Sequence, residues 1–316
     1  MFKLQPSFKD YLWGGTKLKT IYQKDCNLDK VAESWELSTH KDGLTLIGSG
    51  DNKGETLISY IEKNGKNVLG SKCSLDNDIP ILIKFIDAKQ PLSIQVHPDN
   101  SYALKNENDF GKTEMWYIID AEPDAKLIYG FKENVTKEEF EKAIRENTLE
   151  NLVNEVDVKA GDVFFITPGT MHAIGKGIVI AEIQQRSNVT YRIYDFGRVG
   201  VDGKPRELHI DKALDVTKLE ASKNAKKEYV MKKFDGYEKG LLSSCEYFNV
   251  TLFNIDTKAC LNCDETTFNC LTVVDGDCVI SGKDSLNVSK GESIFIPANY
   301  GEYTINGKCK VILSTL

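Results

Sequence analysis

The sequence predicts a mainly β protein built from two related β-barrel units, with a helical insertion in the first. Three observations carry this. Most apolar runs are short, alternate with period two and end at Gly, Pro or Asp-Asn turns, as strands do. A turn glycine, an acid and an apolar strand closing on proline occur twice, as Gly161-Asp-Val-Phe-Phe-Ile-Thr-Pro168 and Gly291-Glu-Ser-Ile-Phe-Ile-Pro297, which suits one barrel corner used in each unit. The clearest helix signal is the capping-box pattern Thr136-Lys-Glu-Glu139 ahead of the apolar stripe Phe140, Ala143 and Ile144. The expected division is 1–217 for a unit that carries chemistry, its insertion near 132–153, and 218–316 for a degenerate second unit. Gly301 stands four residues past the proline of the second copy, where the first copy has His172.

Along the chain, Tyr11-Leu-Trp-Gly-Gly15 reads as a tight corner and Val31 to His40 alternates like a strand. Leu57, Ile58 and Ile61 fall at helical spacing, so a short amphipathic helix precedes the nearly continuous apolar strand Ile79 to Asp87. Strands are expected at 93–97, at 114–119 and, beyond the insertion helix, which is drawn to about Leu152, at 163–167, 178–184 and 190–194. A short helix is expected near Asp211 to Val216, followed almost wholly by strand and turn.

With 316 residues, 41% of them hydrophobic and 28% charged, the composition is that of an ordinary globular protein rather than a disordered one. The net charge of −7 is dispersed, and no basic cluster tracks a phosphate backbone, so nucleic acid is not an expected partner. No apolar run approaches the roughly 20 residues of a membrane span, and the N-terminus has no signal-peptide core. The expectation is a cytoplasmic protein, monomeric or a small homo-oligomer, acting on a small molecule. Five of the eight cysteines crowd the last fifth of the chain, and Cys260 and Cys263 have the spacing of half a zinc site. No second tight pair accompanies them, so they read as reduced, packed thiols.

The chemistry centres on Ala88 to Tyr117. Period-two spacing puts Ser93, Gln95 and His97 on one face of a strand, with Ile94 and Val96 on the other. The next extended run opens on Glu114, and the strand from Phe164 breaks at Pro168-Gly169 to deliver His172. Two imidazoles, a carboxylate and an amide at strand ends form a candidate divalent-metal site, since zinc favours neutral imidazole nitrogen with carboxylate oxygen. His40 has no motif beside it and is expected to be a surface or hydrogen-bonded histidine; His209, just before the expected helix, is expected to be structural.

Gln95-Val-His97-Pro-Asp99, Lys112-Thr-Glu114-Met-Trp116, Pro168-Gly-Thr-Met-His172 and Glu182-Ile-Gln-Gln185 through Thr190-Tyr-Arg192 resemble the type I mannose-6-phosphate isomerases in their short bacterial form. So do Trp13-Gly-Gly15, Glu33-Ser-Trp-Glu36 and Lys204-Pro-Arg-Glu-Leu-His209. The resemblance implies cupin (jelly-roll) barrels and one zinc ion on Gln95, His97, Glu114 and His172. It implies interconversion of mannose 6-phosphate and fructose 6-phosphate through a cis-enediol, with Arg192 catalytic. Lys112, on the strand face of Glu114, is expected to contact substrate or move a proton, and Trp13, Ser93, Lys112 and Arg192 to line the substrate. The family pattern leads to an aspartate four residues before the arginine, where this chain has Asn188. A neutral amide abstracts no proton, which leaves the base to metal-bound water, Lys112 or another group. Asn188 also sustains an alternative, a non-catalytic sugar-binding or regulatory metal cupin. An iron-dependent oxygenase shares the two-histidine, one-carboxylate set, but Gln95 as a fourth ligand would fill a position that oxygen activation needs open.

Overall fold

The computed structural model describes residues 1–75, 78–200, 203–223 and 225–316. It is mainly β with few helices. The chain divides into two compact units, one of Asp10–Gly15 and Ile86–Lys227, the other of Met1–Lys9, Thr16–Phe85 and Glu228–Leu316. Residues 16–85 thus group with the C-terminal strands, not with 86–217 as the sequence suggested. The reason is strand pairing and buried charge: Phe2–Gln5 is hydrogen-bonded between Ser293–Ile296 and Leu46–Ile47. Buried Glu36 accepts from Ser293 Oγ at 3.0 Å and pairs with Lys24 Nζ at 2.6 Å.

In the first of these units, Val163–Ile166, Glu114–Ala121 and Ile178–Gln185 lie side by side and antiparallel. A second sheet runs in the order Tyr191–Tyr194, Ile94–Val96, His172–Ala173, Lys126–Phe131 and Val153–Asp157. Its apolar face packs Ile94, Val96, Ala173, Tyr191 and Ile193 against Phe140, Ala143 and Ile144 of the helix Lys137–Arg145. That helix begins as the sequence predicts: Thr136 Oγ1 accepts from Glu139 N at 3.1 Å while Glu139 Oε2 accepts from Thr136 N at 2.8 Å. It stops at Arg145 rather than near Leu152, and a 3-10 turn, Leu149–Asn151, follows. Asp99, read as a turn residue, is instead the N-cap of a helix, Asn100–Asn106, and accepts from Tyr102 N at 2.8 Å.

The other unit carries a ten-stranded sheet, including the long strands Asn269–Ser281 and Gly301–Thr315, around a core of Leu271, Ile280, Ile294, Ile305 and Val311. The repeated corner is real in local geometry. Gly161 and Gly291 both have φ of 92°, and each N–H donates at 2.8 Å to a carbonyl of a neighbouring strand, Ile118 and Val273 respectively. In each copy the acid that follows the glycine closes the turn: Asp162 accepts from Lys159 N at 3.0 Å, and Glu292 from Ser289 N at 2.8 Å. The eight cysteines form no disulfide among the described residues; Cys260 is exposed and Cys263 buried. Among the same residues no helix is long and apolar enough to cross a membrane.

Thr136→Ala removes one side of the capping box and should lower stability by about 1 kcal/mol. A urea titration followed by circular dichroism measures this, and an unchanged midpoint would contradict the role given to the cap.

Candidate metal centre

Register builds the centre. In an antiparallel pair, residues directly opposite one another project to the same face. Gln95 stands opposite His172 on one side and opposite Arg192 on the other, so Arg192, Gln95 and His172 form a row across one sheet face. His97 follows the end of Ile94–Val96, which is shorter than the 93–97 strand expected, and its ring centroid lies 4.8 Å from that of His172. Glu114 comes from the other sheet, as the first residue of Glu114–Ala121.

His97, Glu114 and His172 are all buried, and one ligand atom from each lies within 4.8 Å of the others. His172 Nε2 is 3.3 Å from Glu114 Oε1, and His97 Nε2 is 3.7 Å from Glu114 Oε2. Each imidazole is fixed from behind by a main-chain carbonyl: His97 Nδ1 lies 2.8 Å from Val189 O, and His172 Nδ1 lies 2.9 Å from Thr170 O. Donating Nδ1–H to a carbonyl leaves Nε2 as the lone-pair nitrogen turned toward the carboxylate, the arrangement of a metal-ligating histidine. Burial pushes the His172 imidazole down to about 4, so it is neutral at physiological pH. The Gln95 carboxamide reaches within 3.4 Å of His172 Nε2 through Nε2, and a half-turn of that group brings its oxygen there instead.

Lys112 and Glu182 complete the buried polar group. Lys112 Nζ, 4% exposed, is 3.2 Å from Glu114 Oε2 and 4.0 Å from Glu182 Oε1. Trp116 Nε1 donates to Glu182 Oε2 at 2.9 Å, and the indole meets His172 edge-on with centroids 5.3 Å apart. One ammonium thus faces two carboxylates beside two imidazoles. Buried negative charge in that proportion, with hard and borderline donors, fits a divalent cation.

The structure therefore brings together Gln95, His97, Glu114, His172 and Lys112, and sets Arg192 on the same face. Ser93 is buried just before the strand that carries Gln95. Trp13 is buried; its carbonyl accepts from Gln90 N at 3.0 Å and its ring packs 5.7 Å from Tyr11. Glu182 belongs to one of the sequence motifs, but sequence reasoning assigns it no role. A signal is present all the same: Glu182 and Gln184 interrupt, with period two, a strand that is buried along its whole length.

A buried His-Glu-His group in a β framework defines the chain as a candidate metal-site protein. The first 124 residues match the family model "Phosphomannose isomerase type I, catalytic domain", and residues 238–316 match "Mannose-6-phosphate isomerase, cupin domain". A mannose-6-phosphate isomerase of Bacillus subtilis is 36% identical, covering 99% of this chain and 98% of its own. One from Streptococcus mutans is 35% identical, covering 98% and 96%. A crystal structure of the mannose 6-phosphate isomerase from Bacillus subtilis superposes with a TM-score of 0.92 at 32% identity, over 100% of this chain and 99% of that one. A zinc-bound mannose 6-phosphate isomerase structure superposes at 0.80 with 18% identity, a likeness of fold. The chain belongs to the type I mannose-6-phosphate isomerase family.

His97→Ala and His172→Ala should each weaken divalent-metal affinity by more than about 100-fold, beyond the loss that follows when only a supporting hydrogen bond is removed. Competition with a chromogenic chelator reads this directly; retention of wild-type affinity in either variant would exclude that histidine as a ligand.

Proposed function

We propose that the protein interconverts mannose 6-phosphate and fructose 6-phosphate as a zinc enzyme, one ion per chain on His97, Glu114, His172 and Gln95, through a cis-enediol. The observation that carries this beyond family membership is the Lys112–Glu182 pair beside the His-Glu-His group. Zinc held by these residues would supply positive charge to the oxygens of the open-chain sugar.

The remaining work falls to side chains. Isomerisation removes the proton on C2 of the aldose, shifts the electron pair into a C1–C2 double bond, and returns a proton to C1. Glu182 is the buried carboxylate that we assign as base, which answers the difficulty raised by Asn188. Trp116 donates to one of its oxygens, and the other lies 4.0 Å from Lys112 Nζ. Lys112 supplies and withdraws the proton that moves between O1 and O2 as the carbonyl changes place. Trp13 and Ser93 are assigned to the walls of the sugar site.

Arg192 suits the anionic end of the substrate. Its Nη1 donates to Glu207 O at 2.8 Å, while its Nε is buried with no hydrogen-bond partner among the described residues. Burial, and then the neighbouring Arg206 charge, lower its pKa. Arg206 and Arg198 both reach Asp195, with Nη2 of each 2.5 Å from Oδ1. Two guanidinium groups bound to one buried aspartate, with the Arg192 charge nearby, favour a phosphate there. We assign the chemistry to the unit of Asp10–Gly15 and Ile86–Lys227, built on one cupin-like barrel, and read the C-terminal strands as its degenerate relative.

Coupled turnover of mannose 6-phosphate should vanish on chelation and return with zinc. Glu182→Gln and Lys112→Met should each lower kcat by about 10²- to 10⁴-fold with zinc content unchanged. Absence of turnover by fully zinc-loaded protein would favour the non-catalytic sugar-binding cupin.

A further inference from the structure

Tyr191–Tyr194 is the terminal strand of its sheet, and on one side it has no neighbouring strand among the described residues. In an antiparallel pair the N–H and C=O of one residue point the same way, either to the partner strand or outward. Arg192, opposite Gln95, turns both outward, and both are met by one residue. Its N–H donates to His209 Nδ1 at 3.1 Å, and the N–H of His209 donates to the Arg192 carbonyl at 2.8 Å. With the bond from Arg192 Nη1 to the Glu207 carbonyl at 2.8 Å, segment 207–209 holds this arginine at three points.

His209 is itself well anchored. It immediately precedes the helix Ile210–Val216 and is its N-cap, yet its side chain makes no cap hydrogen bond, because the ring is turned to Arg192. Ala213 N donates to the His209 carbonyl at 2.9 Å, and Ala213, Ile210 and Leu214 pack in the core that also contains Tyr191 and Ile193. The helix therefore presents the imidazole to the strand edge. An edge N–H needs an acceptor when half-buried. A histidine ring can provide one only through an unprotonated nitrogen. Burial lowers the His209 pKa; Glu207 and Glu107 oppose this, and Arg192 and Lys212 reinforce it.

We propose that His209 is a positioning residue for the isomerase reaction, a one-residue strand partner that fixes the backbone of Arg192 so that its guanidinium keeps one direction across the row it shares with Gln95 and His172. The proposal rests on the reading of Arg192 as substrate-facing. It goes further in assigning a role to His209, whose sequence context suggests only a structural histidine.

The test compares His209→Phe, which keeps a ring without the acceptor, with His209→Asn, whose Oδ1 occupies the place of Nδ1. Should the phenylalanine variant fail to fold, His209→Ala serves as the acceptor-free form. In zinc-loaded protein the acceptor-free variant should lose about 10- to 100-fold in kcat/KM for mannose 6-phosphate. His209→Asn should recover most of that loss. In an Arg192→Ala background the same change should add less than about twofold, since the two residues act as one unit. Hydrogen exchange of the Arg192 amide should quicken in the acceptor-free variant and stay slow in His209→Asn. Unchanged kcat/KM, a full additive loss in the Arg192→Ala background, or equal damage by asparagine would each overturn the proposal. If wild-type protein turns over no mannose 6-phosphate, the isomerase reading fails by itself. The Arg192 amide still decides the clamp, and unchanged protection without the acceptor overturns it.

Discussion

The register that sets Gln95 between His172 and Arg192 is the constraint on which the site depends. A slip of one residue in the short strand Ile94–Val96 would send Gln95 to the core face and Ile94 or Val96 toward the polar group. Burial of Ile94 and Val96 in the core cluster makes such a slip costly. Hydrophobic patterning on one face thus fixes the chemistry on the other. The same strand continues directly into His97, so a single stretch aims two candidate ligands.

Support from behind does the rest. Both imidazoles lean through Nδ1 on main-chain carbonyls, of Val189 and Thr170. A carbonyl acceptor fixes the tautomer without adding negative charge, which matters where Glu114 and Glu182 are already buried beside one ammonium. The Val189 carbonyl is in turn held by the turn that contains it. Val189 N donates to Ser187 Oγ at 3.2 Å, Ser187 Oγ donates to Phe110 O at 2.7 Å, and Gln184 Nε2 donates to Ser187 O at 2.6 Å. Ser187 therefore ties the turn behind His97 to the segment leading into Lys112, and Gln184, the glutamine that breaks the apolar pattern of its strand, holds Ser187 in place.

What can be read from the sequence, and what cannot, divides along local and nonlocal interactions. The capping box at Thr136, the strand alternation around Gln95 and the repeated corner are patterns within a few residues, and each stands where expected. His97, Glu114 and His172 are legible because each ends or begins a strand with a recognisable turn beside it. Glu182 is not, because its relation to Lys112 depends on how two strands distant in sequence pair. The clamp on Arg192 is hidden for the same reason: a histidine seventeen residues away reads as isolated until the sheet edge is seen. The placement of 16–85 with the C-terminal strands rests on Glu36, which is 257 positions from its partner Ser293. The helix Asn100–Asn106 is a different case, since Asp99-Asn100 is equally good chemistry for a turn and for an N-cap.

The repeated corner also bears on why, among the described residues, only one unit holds a candidate metal group. Beyond the first copy, a left-handed glycine, Gly169 at φ of 83°, turns the chain and the strand His172–Ala173 follows, with His172 free to take an extended backbone. Beyond the second copy, the position that aligns with His172 is Gly301, itself at φ of 90°. A histidine placed there would have to adopt a conformation that side chains with a Cβ rarely take. The space around Gly301 is open, so the obstacle is backbone strain, not crowding. The second copy thus has left-handed residues at both Asn299 and Gly301, the latter at the position of His172. Placing a histidine ligand there would require a change of turn geometry as well as a change of side chain.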